Sequence, residues 1–326
     1  KPFKTITKAI NVSKDGDVIY ILDGLYKGTG NVNLSLQKKK ITLESYNGPG
    51  SVRIDGESKN RFVFADNGET NATKLRGLTI MNCVPPSTSR SRSNTNGHGG
   101  AIYIGESSGL TIEKCYFCNN KFTIDMGHKE QATSQATHIK SCVFEANSEG
   151  IITGDKVSFY VDSCIFQNNY TYQAIGKGHV QNPPGTASFN IFRNNHSNTG
   201  SIISTGHGFQ VNNCLFYDNK SKNGVVYHGT SWSGSPHIDH CTFYNNCSNK
   251  YSSSWYDHIG TTKNSIFDGY SDNMLDHISG NQSKISFKYN NGTGVTGNGN
   301  FSGDPKFKDV SSYDFTLTTN SPCIGS

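Results

Sequence analysis

At 326 residues, with 33% hydrophobic content and 35 glycines, the chain has the composition of short strands joined by many turns rather than that of a helical bundle. No stretch approaches eighteen consecutive apolar residues, which excludes a membrane-spanning helix. The formal charge of +5 is spread along the chain, apart from Ser89-Arg90-Ser91-Arg92, and without interleaved aromatics it excludes a nucleic-acid-binding face.

The chain opens at Lys1 with neither Met nor signal peptide, as expected of a processed product or a portion of a longer protein. Residues 3–11, FKTITKAIN, place Phe3, Ile6 and Ile10 on one face of a helix. Such a helix, within residues 1–14, is the expected lid over one end of a strand-rich body, whose edges would otherwise be unpaired. The turn Asp15-Gly16-Asp17 and the strand VIYIL follow.

From residue 115 one pattern recurs. Cys-x-Phe-x-x-Asn occurs at Cys115-Phe117-Asn120, Cys142-Phe144-Asn147, Cys164-Phe166-Asn169, Cys214-Phe216-Asn219 and Cys241-Phe243-Asn246, and Asn190-Phe192-Asn195 is a copy with Asn for Cys. Successive copies are 27, 22, 26, 24 and 27 residues apart. An alternating segment precedes each Cys, as in FYVDSC, and a short apolar segment follows each Asn, as in GIIT. Period-two alternation predicts strands. Units this small bury no core alone and are stable only when stacked. The expected fold is all-β, a single-stranded right-handed parallel β-helix of about ten coils occupying 1–326 as one domain. Its parts are a cap at 1–14, coils at 15–300 and a closing coil at 301–326. Cys and Phe, two positions apart, form two interior columns, and the Asn column forms a ladder in a turn.

The opening FKTITKAI with DGDVIYILDGLYKG resembles the cap and first coil of the pectate-lyase-like β-helix superfamily, and DPKF with DFTLTTNSPCIGS resembles the last coil of bacterial and archaeal β-helix repeat proteins. The Phe-x-x-Asn copies, with Gly99-Gly100-Ala101-Ile102, are similar to motifs of the polymorphic-outer-membrane-protein and adhesin-like families. The resemblance implies an extracellular or cell-surface protein. Its partners would be glycans or other surface proteins, with self-association as a homo-oligomer or a head-to-tail fibre.

Five of the nine cysteines, Cys115, Cys142, Cys164, Cys214 and Cys241, are expected as a buried column of small hydrophobes, although bridges between coils would fit the spacing. The single Cys-x-x-Cys pair, Cys115 with Cys118, has no second pair at zinc spacing, so no metal site is expected. The column Asn120, Asn147, Asn169, Asn195, Asn219 and Asn246 contains four sequons, which an inward ladder would withhold from glycans. Asn71, Asn281 and Asn291 are the better glycan acceptors, and glycosylation would place the chain outside the cell.

Enzymes of the superfamily cleave acidic polysaccharides, which implies carboxylates and, in lyases, calcium. The best candidates are the acid–base pair Asp155-Lys156 and His207, whose Gly-His-Gly setting resembles that of the polygalacturonase-like hydrolases. No further Asp cluster accompanies them, whereas glycosidases need two carboxylates across the bond. A second pattern follows the post-Asn strand: His128, Lys177, His179, His207, His228, His258 and His277 fall near one turn column. Such a stripe would bind an extended anionic glycan or a partner chain and titrate between about pH 5 and 7. Insertions at 84–97, 125–137, 180–187 and 230–236 would build the binding face. The leading expectation is a non-catalytic, adhesin-like surface or fibre-forming protein. The alternative is a polysaccharide lyase or glycoside hydrolase.

Overall fold

The computed structural model describes residues 2–88, 95–105, 107–127, 135–154, 157–177, 185–205, 209–222, 225–228, 237–248, 261–268, 286–288 and 303–324. Helix α1 spans Ile6–Val12. The Thr5 side chain caps it by accepting the Lys8 N–H, and Ser13 ends it in extended backbone. Ile6, Ala9 and Ile10 face the core at helical spacing. Phe3, expected on that face, precedes the helix and is 54% exposed. With no turn beneath it, its ring has nothing to pack under.

Four short strands set the pattern: β1 (Val18–Ile21), β2 (Gly24–Lys27), β3 (Leu34–Ser35) and β4 (Thr42–Ser45). β1, β2 and β3 open three separate sheets, and β4 returns to pair in parallel with β1, closing one turn. Repetition gives parallel sheets of 11, 10 and 11 strands. This is the expected right-handed parallel β-helix, and its hand is the one that parallel crossovers adopt.

The columns follow from in-register stacking. In the second sheet Phe117, Phe144, Phe166, Phe192, Phe216, Phe243 and Phe267 lie directly over one another. Ring centroids are 4.9 Å apart at the first step and 4.6–4.7 Å afterwards, with interplanar angles of at most 8°. That is the spacing of neighbouring strands, so the backbone dictates the stack. Earlier rungs of this column carry Tyr26, Ile54 and Ile80 instead. Each turn gives one strand to each sheet, so this column has ten rungs, one for every strand of the second sheet, and seven of them carry Phe.

Corners need left-handed backbone. The residue before each ladder Asn has φ near +50°: Asn119, Ala146, Asn168, Asn194, Asp218 and Asn245. Asn and Asp tolerate that region better than other non-glycine residues. The ladder Asn then satisfies the corner. Asn169 Nδ2 donates to Phe144 O (2.9 Å) and Asn195 Oδ1 (2.8 Å), while its own Oδ1 accepts the Asn147 N–H (2.9 Å). All six ladder Asn are buried.

Residues 303–324, expected to close the stack as a last coil, form an antiparallel hairpin of Phe307–Asp309 and Asp314–Leu317. The hairpin packs Tyr313 and Phe315 against Tyr217, and Phe315 and Phe307 against Tyr244, on the outer face of the second sheet.

Candidate functional site

The third sheet gathers the residues of interest. Its strands point Val63, Ile102, Ile124 and Ile152 into the core in one column. The alternate column, Phe64, Tyr103, Asp125 and Thr153, is on the outer side. Tyr103 and Asp125 are nevertheless buried, because the connection between the second and third sheets crosses over them.

Polar contacts fasten that crossing. Arg61 Nε donates to Gly99 O (2.8 Å) and its Nη2 donates to His98 O. The guanidinium lies 5.2 Å from the Phe64 ring centroid and 5.4 Å from that of Tyr103. His98 Nδ1 is 3.0 Å from Asp125 Oδ2, and Asp125 Oδ1 accepts from Thr153 Oγ1 at 2.5 Å. Burial lowers the Arg61 pKa to about 10, with Tyr103 and Asp125 opposing the shift, so the cation persists at neutral pH. His98 is 4% exposed and Asp125 0%. A polymer cannot reach the pair, and its chemistry is that of a clamp.

Gly99 and Gly100 belong to the same crossing. Gly99 has φ +58°, and a Cβ on Gly100 would land on the Lys121 carbonyl of the next turn. The Gly-Gly pair is where backbone passes over backbone. The sequence suggested neither Arg61, His98 nor Asp125. Asp125 follows His98 by 27 residues, a step that the repeat itself uses, and that one-turn spacing of polar residues is the signal that could have found the pair.

The expected stripe lies where the chain leaves this sheet. Lys177 ends the strand Tyr170–Lys177, and His228 ends Val226–His228. Ile203 is paired with Ile175 on one side and Val226 on the other, which places Lys177, Thr205 and His228 in one column of register. His128, His179, His207, His258 and His277, and with them Asp155 and Lys156, lie outside the described residues. In sequence, 128, 155–156, 179 and 207 follow the third-sheet strands of four turns. Strand structure claims parts of two expected insertions: Ile124–Met126 takes the start of 125–137, and Gly185–Ser188 the end of 180–187. The described residues contain no group of three or more His, Cys, Asp or Glu that could hold a metal, and no helix long and apolar enough to cross a membrane.

Asn71 is exposed in a turn, as a glycan acceptor must be, whereas Asn281 and Asn291 lie outside the described residues. Asn169, Asn195, Asn219 and Asn246 are held in the ladder. The column thiols are buried, unbridged and hydrogen-bonded: Cys142 Sγ donates to Ile112 O (3.6 Å) and the Cys142 N–H reaches Cys164 Sγ (3.4 Å). Asn190 performs the same task in its turn, accepting the Cys164 N–H (2.8 Å) and donating to Val161 O (3.0 Å).

No protein-family model matches the chain, and no curated protein does. Among solved structures it is similar to a rhamnogalacturonan lyase at 13% identity and a TM-score of 0.55, over 96% of this chain and 87% of that one. A polysaccharide lyase of family PL6 from Pseudopedobacter saltans aligns at 12% identity and a TM-score of 0.43, over 97% and 94% of the two chains. A pectate lyase aligns at 12% identity and 0.40, over 97% and 84%. The first likeness, together with the strand order, defines the fold: a right-handed parallel β-helix, the fold of that lyase.

Proposed function

We propose that this chain acts outside the cell on acidic polysaccharide, as a lyase or hydrolase, with the polymer laid along the edge where the third sheet gives way to the first. The observation that carries this reading is the register placing Lys177, Thr205 and His228 in one column, on three successive turns. Asp155-Lys156 and His207 follow the same sheet's strands in sequence. A linear array at strand spacing, roughly 4.8 Å per turn, suits an extended polymer better than a compact ligand. The charge of +5 favours an anionic one. The rhamnogalacturonan lyase shares the fold and acts on a polysaccharide by its name, which supports the enzymatic reading over the adhesin-like one. In it Lys156 or His207 takes the proton and Asp155 is the acidic partner. Among the described residues no group of three or more His, Cys, Asp or Glu could hold calcium.

The test is digestion of rhamnogalacturonan, polygalacturonate and alginate, with and without calcium. Unsaturated products mark a lyase, and new reducing ends without them mark a hydrolase. Turnover that Lys156→Ala or His207→Gln reduces at least about tenfold is the expected result. Binding to these polymers without cleavage would return the protein to the surface-adhesin reading.

A further inference from the structure

The N-terminal end of the solenoid carries an unusual concentration of exposed apolar side chains. Of the twelve exposed large hydrophobic residues among those described, seven lie within the first 46: Phe3, Val12, Val18, Tyr20, Leu22, Leu25 and Tyr46. A groove of about 500 Å³ lies between α1 and β1, and all five residues Val18–Leu22 line it. Successive strand residues point to opposite faces. A groove touching five in a row therefore runs along the edge of the strand and not over one face.

That edge is the end of its sheet, where β1 has β4 on one side and no described strand on the other. Asp17 and Ile21 direct their carbonyls at β4, accepting the N–H groups of Thr42 (3.0 Å) and Tyr46 (2.9 Å). Alternate residues of a parallel strand bond to opposite sides. Val18, Tyr20 and Leu22 therefore turn their backbone groups away from β4, where Leu22 O accepts from Tyr26 Oη (2.8 Å). Val18–Leu22 contains no Lys, no Pro and no bulge, the usual devices that keep an edge from pairing. α1 packs Ile6 and Ile10 into the first turn and stands across the groove from β1, so the groove is the opening to this edge.

We propose that β1 is the pairing edge of a symmetric dimer, with the β1 of a second copy running antiparallel across a two-fold axis at Tyr20. The pairs are Tyr20 with Tyr20 and Val18 with Leu22, so every outward backbone group meets an outward backbone group. No other register centred within the strand does this for all three residues. The seven side chains, each about half exposed, offer on the order of 600 Å² of apolar surface per copy. That approaches the roughly 800 Å² per partner of a standard interface. The same register sets Asp17 of one copy opposite Asp23 of the other. Their carboxylates are turned aside, Asp17 onto the Lys14 N–H (2.7 Å) and Asp23 onto Asn47 Nδ2 (2.9 Å), but the charges still repel. Salt therefore strengthens this dimer.

Light scattering after size exclusion, from about 1 to about 100 µM, tests the proposal. The wild-type chain is expected to be a dimer whose fraction rises with salt. Tyr20→Pro removes an N–H that points away from β4, a change an edge strand tolerates, and is expected to give a monomer with an unchanged circular dichroism spectrum. Leu22→Lys gives the same result if the proline variant fails to fold. Tyr170→Lys, at a residue 56% exposed elsewhere on the solenoid, leaves the dimer intact. A wild-type monomer at about 100 µM overturns the proposal, as it would if the edge serves a foreign strand. A dimer untouched by both edge variants, or one that salt weakens, overturns it equally.

Discussion

Asn169 shows how much one side chain does in this fold. Its amide satisfies a carbonyl of the turn before and a backbone N–H of the same turn, and links to the Asn on either side. Asn169→Ala leaves buried backbone groups without partners and is expected to destabilise the chain by about 3 kcal/mol in chemical denaturation. Leu at the same site would fare no better, because the orphaned groups remain. Phe189 is the opposite case. It holds φ +57° and is 60% exposed, at a corner position where other turns place Asn213 and Asn264. Phe189→Asn relieves that backbone and is expected to stabilise by about 1 kcal/mol, visible as a higher Tm. A lower Tm would mean that the ring is held by contacts that its exposure hides.

At the scale of elements, the thiol column and the outer face of the second sheet make separate predictions. Burial pushes the Cys83 thiol up to about 12, and burial with neighbouring thiols raises Cys142 and Cys241 well above the ordinary range. A thiolate is the reactive form. Native protein at about pH 8 should therefore leave Cys83, Cys142 and Cys241 unlabelled by iodoacetamide, with labelling on unfolding. Cys164→Asn, which copies Asn190, should fold, and Cys164→Ala should lose about 1 kcal/mol. On the outer face Tyr116 Oη donates to Glu145, whose carboxyl is lowered mainly by that bond, with burial opposing. A folded pKa below the unfolded value adds stability above about pH 4.3, and that stability is lost as pH falls through the folded value. Tyr116→Phe should thus cost about 1 kcal/mol at neutral pH and nothing in strong acid, as a pH series of denaturation curves would show.

The columns were legible because stacking repeats them: Cys, Phe and Asn recur every 22 to 27 residues, and each copy reinforces the next. The helix cap was legible from Ile6 and Ile10, while Phe3 misled because an apolar residue at helical spacing can precede the helix it matches. The Arg61–His98–Asp125 clamp was not legible. It occurs once, and its parts come from three turns that only the register brings together. The hairpin over Tyr217 and Tyr244 was missed for a related reason, since strand alternation does not say which sheet a strand joins.

Among the described residues the molecule is a stack with one appended piece. Phe315 lies 5.2 Å from the ring centroids of both Tyr217 and Tyr244 and 5.4 Å from that of Phe307. Phe315→Ser should release the hairpin while the stack survives. Limited proteolysis is expected to clip the C-terminal segment several-fold faster and to leave the remainder resistant. A general rise in cleavage would show that the hairpin supports the stack itself. The Asn ladder has one more consequence. Asn147 meets Asn120 on one side and Asn169 on the other through the same pair of bonds, so neither neighbour is distinguished from the next one along. The length of the rod is accordingly a free variable of inheritance. A gene that gains or loses one repeat unit in frame yields a longer or shorter protein with every joint still made, and natural variants of this chain should differ by whole turns.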